Sequence, residues 1–209
     1  MLEKCKGYAR REKPYSAGVT PFPFGIEERT MRFYNPQQEK DIDFFCIFGQ
    51  DEFPPLRKKV REIVISFCNE NGFICATHAT EGFVFDYQKT AGRDDFYKLL
   101  ARSKVGISVS GGGYDTARFW EILGNRCVLL TEGIDIEVPE KTHLNYESIV
   151  QFHDEQDFRK KLQELGNKIR EKSLVVSTSD YQNIFKNHST SSRVHYLLTK
   201  FFGFNNSHC

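Results

Sequence analysis

The chain lacks a charge excess, a long apolar run, an internal repeat and a paired-cysteine motif, and each absence removes a class of protein. Its 29 basic and 28 acidic residues nearly cancel over 209 residues, so no global field recruits nucleic acid or an anionic membrane. No apolar stretch approaches the ~20 residues that span a bilayer, and no transmembrane segment is expected. Met1–Lys13 is dominated by Lys, Arg and Glu in place of an apolar secretory core, which makes a cytoplasmic location the expectation. The six cysteines include no C-x-x-C pair, so no metal site is expected. Cys46, Cys68 and Cys127 sit inside apolar runs, where a reduced thiol acts as a small hydrophobe.

What is present divides into two regions. Residues 1–40 carry turn formers and little apolar periodicity, and read as a linker or crossover segment. Within it Pro21-Phe22-Pro23-Phe24-Gly25-Ile26 is extended, since each proline pushes the preceding residue out of the helical region. From Asp41 onward, apolar runs alternate with helical patterns. Strands are expected at Ile42–Phe48, Phe73–Thr77, Val105–Val109, Cys127–Leu130 and Ile149–Phe152. Helices are expected at Leu56–Asn71, Asp94–Ser103, Thr116–Gly124, Asp154–Glu171, Tyr181–Lys186 and Ser191–Phe202. In the last of these, Val194, Leu197, Leu198 and Phe201 form a stripe expected to bury one face. This order predicts an α/β fold, a Rossmann-like parallel sheet with helices on both faces, formed by residues 41–209.

The chemistry concentrates in Ser108-Val109-Ser110-Gly111-Gly112-Gly113-Tyr114-Asp115-Thr116-Ala117-Arg118-Phe119-Trp120-Glu121. Three glycines after a buried strand allow positive φ and let a ligand approach backbone N–H groups closely. Asp115 or Thr116 can cap the following helix, whose free amides favour an anion. Arg118 lies one turn in, placed to bind a diphosphate bidentately. Glu121, one turn further, has apolar neighbours and calls for hydrogen-bond donors such as ribose hydroxyls. Arg118 and Glu121 also form an i,i+3 pair that could be a plain ion pair. The spacing does not match the dinucleotide fingerprint G-x-G-x-x-G.

The run Gly-Gly-Gly-Tyr-Asp-Thr-Ala-Arg-Phe-Trp-Glu-Ile-Leu-Gly-Asn-Arg-Cys-Val-Leu-Leu-Thr resembles the donor-site segment of GT-B glycosyltransferases, in the pattern of the group 1, spore-maturation-type proteins. Pro23–Ile26 resembles that fold's crossover, Asp41–Gly49 the first strand and turn of its C-terminal domain, and Asn187–Arg193 its terminal His-Thr-x-x-x-Arg element. The resemblance implies a glycosyltransferase that uses a nucleotide-diphosphate sugar as donor substrate, with no further cofactor, toward an unknown acceptor. Arg118, Thr116 and Gly111–Gly113 would hold the diphosphate and Glu121 the ribose. The first glutamate of the family's paired-acid motif falls at Gly113, which shifts donor contacts to the glycine amides, Tyr114 and Asp115. The acceptor-binding half is missing, so a partner domain in cis or in trans is implied. A non-catalytic nucleotide-sugar-binding module is the alternative.

Other candidates have simpler readings. Asp41-Ile42-Asp43 spells the D-x-D of another glycosyltransferase fold, but it opens a strand, and a solvated strand entrance is expected. Gly49 closes that strand and is placed to line a ligand crevice. Arg57-Lys58-Lys59 with Arg61 reads as a solvated helix face. His188 and His195 read as packed or capping side chains, and Phe83, Phe85 and Tyr87 as core aromatics or a base-stacking loop.

Overall fold

The computed structural model describes residues 5–13, 16–48, 53–77 and 90–204. Five parallel strands form the central sheet: β3 (Ile42–Phe45), β4 (Cys75–Ala76), β5 (Ser103–Ser108), β6 (Val128–Glu132) and β7 (Ile149–Phe152). Their spatial order is β4-β3-β5-β6-β7. Two short strands, β1 (Tyr8–Arg10) and β2 (Val19–Pro21), pair with each other in a separate ribbon. The chain runs from β3 to the β4 edge, then returns past β3 to build the rest of the sheet. The direction of growth therefore reverses between β3 and β5, and a crevice opens at the carboxyl ends of those two strands.

Period-two alternation assigns the strand side chains to two cores. Phe44, Val105, Ile107 and Leu130 face α1 (Pro55–Asn71) and α4 (Glu155–Arg170). Phe45, Ile47 and Leu129 face α2 (Thr90–Ala101), α3 (Ala117–Gly124) and α5 (Thr178–His188). The sheet is thus covered on both faces, in the Rossmann-like arrangement expected. Helix ends follow local chemistry. Pro55 sits in the first turn of α1, where a missing N–H costs nothing, and Gly72 ends the helix at φ 72°. Thr116, Asp154 and Ser177 cap α3, α4 and α5 through their side-chain oxygens. At Gly106, on β5, a Cβ would lie 2.6–2.9 Å from three atoms of Ile122, so α3 can pack this close to the sheet only over glycine.

Several boundaries differ from the sequence expectation. α2 starts at Thr90, which places Asp94 inside the helix, paired with Arg32, instead of at its cap. α6 (Thr190–Phe202) buries its apolar stripe only in part: Leu197 and Phe201 are half-buried, while Val194 is 45% and Leu198 38% exposed. The helix is turned so that Arg193 points inward to His188 and Trp120, and this rotation leaves Val194 and Leu198 outside. The segment read as a linker contributes packed structure. Ile26 is fully buried, its N–H donates to His188 O at 2.8 Å and its carbonyl accepts from Thr190 N at 2.9 Å. Gly25 makes that approach possible, since a Cβ there would sit 2.8 Å from the His188 carbonyl. A lone apolar residue between Gly25 and Glu27 carries no periodicity from which this could be read.

Among the described residues, no helix is long and apolar enough to cross a membrane. Of the five described cysteines, Cys46, Cys68 and Cys127 are buried.

Candidate functional site

The turn after β5 lies at the β3/β5 reversal. Gly111 N donates to Gly113 O at 3.0 Å and closes it, while Ser108 Oγ lies 3.2 Å from Thr116 Oγ1, joining the strand end to the cap of α3. None of the three glycines adopts the positive φ that the sequence allowed for. Two of them lie close to the ends of long side chains. A Cβ on Gly111 would fall 2.6 Å from Arg57 Nη2, and one on Gly113 would overlap the Glu12 carboxylate. Gly112 faces open space, with nothing within 4 Å of its Cβ position.

The turn forms one wall of a cavity of about 660 Å³. α3 contributes Ala117 and Glu121 to it, α2 contributes Tyr97, and α1 contributes Arg57. The N-terminal segment lines it with Arg11, Phe24, Gly25, Glu27, Arg29 and Thr30, and Phe53, 63% exposed, lines it as well. Arg57 Nε donates to Ser110 O at 3.0 Å, and its guanidinium lies over the Phe48 ring, so the cation is fixed against the glycine turn. Arg11 donates to Asp115 O at 3.1 Å, stacks on Phe24, and pairs with Glu12 at 3.2 Å.

Glu121 holds its carboxylate between two donors. Tyr97 OH donates to Oε1 at 2.9 Å and Arg118 Nη1 to Oε2 at 2.7 Å. Arg118 is turned onto Glu121 and the Phe96 ring, 4.0 Å from its guanidinium carbon, and does not line the cavity. The ion pair weighed from the sequence therefore forms, and the cation beside the glycine turn is Arg57. Asp115 is buried and accepts from Trp120 Nε1 at 2.7 Å and Phe24 N at 2.8 Å. Burial pushes its carboxyl above the ordinary range, against the opposing pull of the Trp120 and Phe24 donors. Its side chain ties the N-terminal segment to α3.

Of the residues expected at the site, Gly111, Gly112, Gly113, Asp115, Thr116 and Glu121 share the cavity. Tyr114 borders a separate small recess with Glu132 and Ile136. Gly49 lies outside the described residues, as do Phe83, Phe85 and Tyr87. Sequence reasoning missed Arg57, Tyr97 and Arg11. Arg57 was read into a solvated run, yet it opens the helix after the first sheet strand, where ligands of such sheets sit, and that position was the available signal. Tyr97 and Arg11 carry no local signature. The D-x-D motif is not a solvated entrance throughout. Asp41 pairs with Arg102, but Asp43 is buried and accepts from Ile74 N at 2.9 Å and Lys104 Nζ at 2.8 Å. Among the described residues, no group of three His, Cys, Asp or Glu side chains is arranged to hold a metal.

A cavity bounded by a glycine turn and a fixed carboxylate lies at the switch point of a parallel sheet, where ligands of Rossmann-like domains sit. The chain belongs to the glycosyl transferase-like family, whose sequence pattern matches residues 57–199, more than half of its length. No curated protein matches the chain.

Proposed function

We propose that the chain is the donor-binding half of a GT-B-type glycosyltransferase, transferring a sugar from a nucleotide-diphosphate donor to an acceptor held by a further domain. The observation that carries this reading is the cavity itself. Its lining brings together the glycine turn, the Arg57 fixed against it and the Glu121 carboxylate, at the sheet's switch point. Glu121 accepts hydrogen bonds from the ribose hydroxyls. The diphosphate lies against Gly111–Gly113 and the Thr116 end of α3, where backbone amides and the Arg57 guanidinium oppose its charge.

In the reaction, an acceptor oxygen attacks the anomeric carbon while the bond from that carbon to the diphosphate breaks. The electron pair leaves with the diphosphate, and the acceptor proton passes to a base on the acceptor side. This chain's contribution is electrostatic, because cation and dipoles fixed before reaction stabilise charge that grows on the leaving group. Gly113, at the place of the family's first acid, leaves the sugar without a carboxylate from the turn, which favours donor binding over a complete catalytic set.

The test is calorimetric titration with uridine and guanosine diphosphates, on the chain and on Glu121→Ala. Binding that weakens about tenfold or more on truncation fits the loss of hydrogen bonds to a charged group. Equal binding by both proteins would sink the assignment of Glu121. Donor hydrolysis or transfer by the isolated chain would exclude the binding-module alternative.

A further inference from the structure

Two consecutive residues of α2 grip the two members of the α3 ion pair. Phe96 lies under Arg118 at 4.0 Å, and Tyr97 donates to Glu121 Oε1 at 2.9 Å. Arg118 spans the two contacts through its 2.7 Å bond to Oε2. The Arg118 Nε is buried with no hydrogen-bond partner, so this cation is held by Glu121 and the aromatic ring and not by a web of acceptors. Both side chains of the pair are largely buried, at 17% and 14% exposure, which shields the bond from solvent screening.

We propose that Tyr97 and Arg118 are positioning residues that make the cavity selective for nucleotides carrying an intact ribose 2′,3′-diol. The inference rests on the donor reading of Glu121 given above. A terminal carboxylate torsion is broad and poorly fixed on its own. With one donor on each oxygen, the Glu121 carboxylate plane is set before ligand arrives. Each oxygen keeps a second lone-pair direction, and together these match the two O–H donors of a vicinal diol. A deoxyribose offers one donor and leaves the other acceptor direction desolvated and unpaired. A site built to hydrogen-bond a hydroxyl rejects the analogue that lacks it. Arg118 does not line the cavity, so its effect on ligand passes through Glu121.

The experiment compares uridine and guanosine diphosphates with their 2′-deoxy counterparts by calorimetry, on the wild-type chain, Tyr97→Phe and Arg118→Lys. Tyr97→Phe removes one hydroxyl and keeps the ring, and Arg118→Lys keeps the charge and loses the planar fork. Wild type should prefer the ribonucleotide about tenfold or more. Both variants should reduce that ratio severalfold by weakening the ribonucleotide alone. A ratio unchanged in both variants, or equal weakening of ribo- and deoxyribonucleotide, overturns the positioning role. A wild-type chain that binds the nucleotides without preferring the ribo form overturns it as well. A wild-type chain that binds none of them overturns the donor reading itself, which is a separate failure.

Discussion

Lowering the pH from 7 to 5 should destabilise the fold by about 2 kcal/mol through His188 alone. His188 is fully buried, and burial, followed by the nearby Arg193 guanidinium, pushes its imidazole down to about 3. Its bonding explains why the neutral form is kept. Nδ1 lies 2.6 Å from Arg193 Nη2 and accepts from that cation, while Nε2 lies 2.9 Å from His143 O and donates to it. A proton on Nδ1 would replace that bond with a clash of two positive donors. Tyr146 OH, 3.1 Å from Nε2, offers no negative charge to compensate. In the unfolded chain the same imidazole titrates near ~6.5. Below that pH the unfolded chain takes up a proton that the folded site refuses, so stability is intact above ~6.5 and falls until about 3. Each pH unit well inside that window costs about 1.4 kcal/mol, and the interval from 7 to 5 captures about 2 kcal/mol of it. Urea unfolding at the two pH values, on wild type and His188→Gln, isolates this contribution from carboxylate titrations common to both. The variant should be less stable at pH 7 and should lose about 2 kcal/mol less on acidification. Parallel pH slopes, or an imidazole that titrates near 6.5 in the folded protein by NMR, would refute the reasoning.

Two further outcomes follow from the packing around the site. Gly106→Ala should destabilise by about 1–3 kcal/mol, because its Cβ would overlap Ile122. Ile122→Ala in the same chain should offset part of that loss in urea unfolding, whereas simple additivity would place the clash elsewhere. Asp115→Ala leaves the buried Trp120 N–H and the part-buried Phe24 N–H without their acceptor and should cost roughly 1–3 kcal/mol. Limited proteolysis should then cut the N-terminal segment faster, and an unchanged cutting rate would mean that Asp115 does not tie it down.

The sheet was legible because its strands are short apolar runs punctuated by glycine, and its helices carry Pro55, Gly72 and the Thr116 and Asp154 caps. The glycine turn and Glu121 were legible for the same local reason. What escaped was set by distant contacts. Arg57 reaches the turn from α1 and Tyr97 reaches Glu121 from α2, and neither approach leaves a mark in nearby residues. Arg193 escaped differently. Its helix carries a readable apolar stripe, but the buried cation packed on His188 and Trp120 leaves Val194 and Leu198 of that stripe exposed. The conformational argument for the glycine run also gave way, since none of the three takes a left-handed φ.

If the glycine turn faces a bound nucleoside diphosphate, as proposed, a side chain at Gly112 should block it. A side chain there meets nothing within 4 Å, and the residue has no left-handed φ to strain, so Gly112→Leu should leave the melting temperature of the free protein nearly unchanged. The same leucine should fill space that the ligand needs. Wild type in excess uridine or guanosine diphosphate should melt at a higher temperature, since ligand that binds only the folded state stabilises it, and Gly112→Leu should lose that shift. A variant that keeps the full nucleotide-dependent shift would contradict the placement of the donor against this turn.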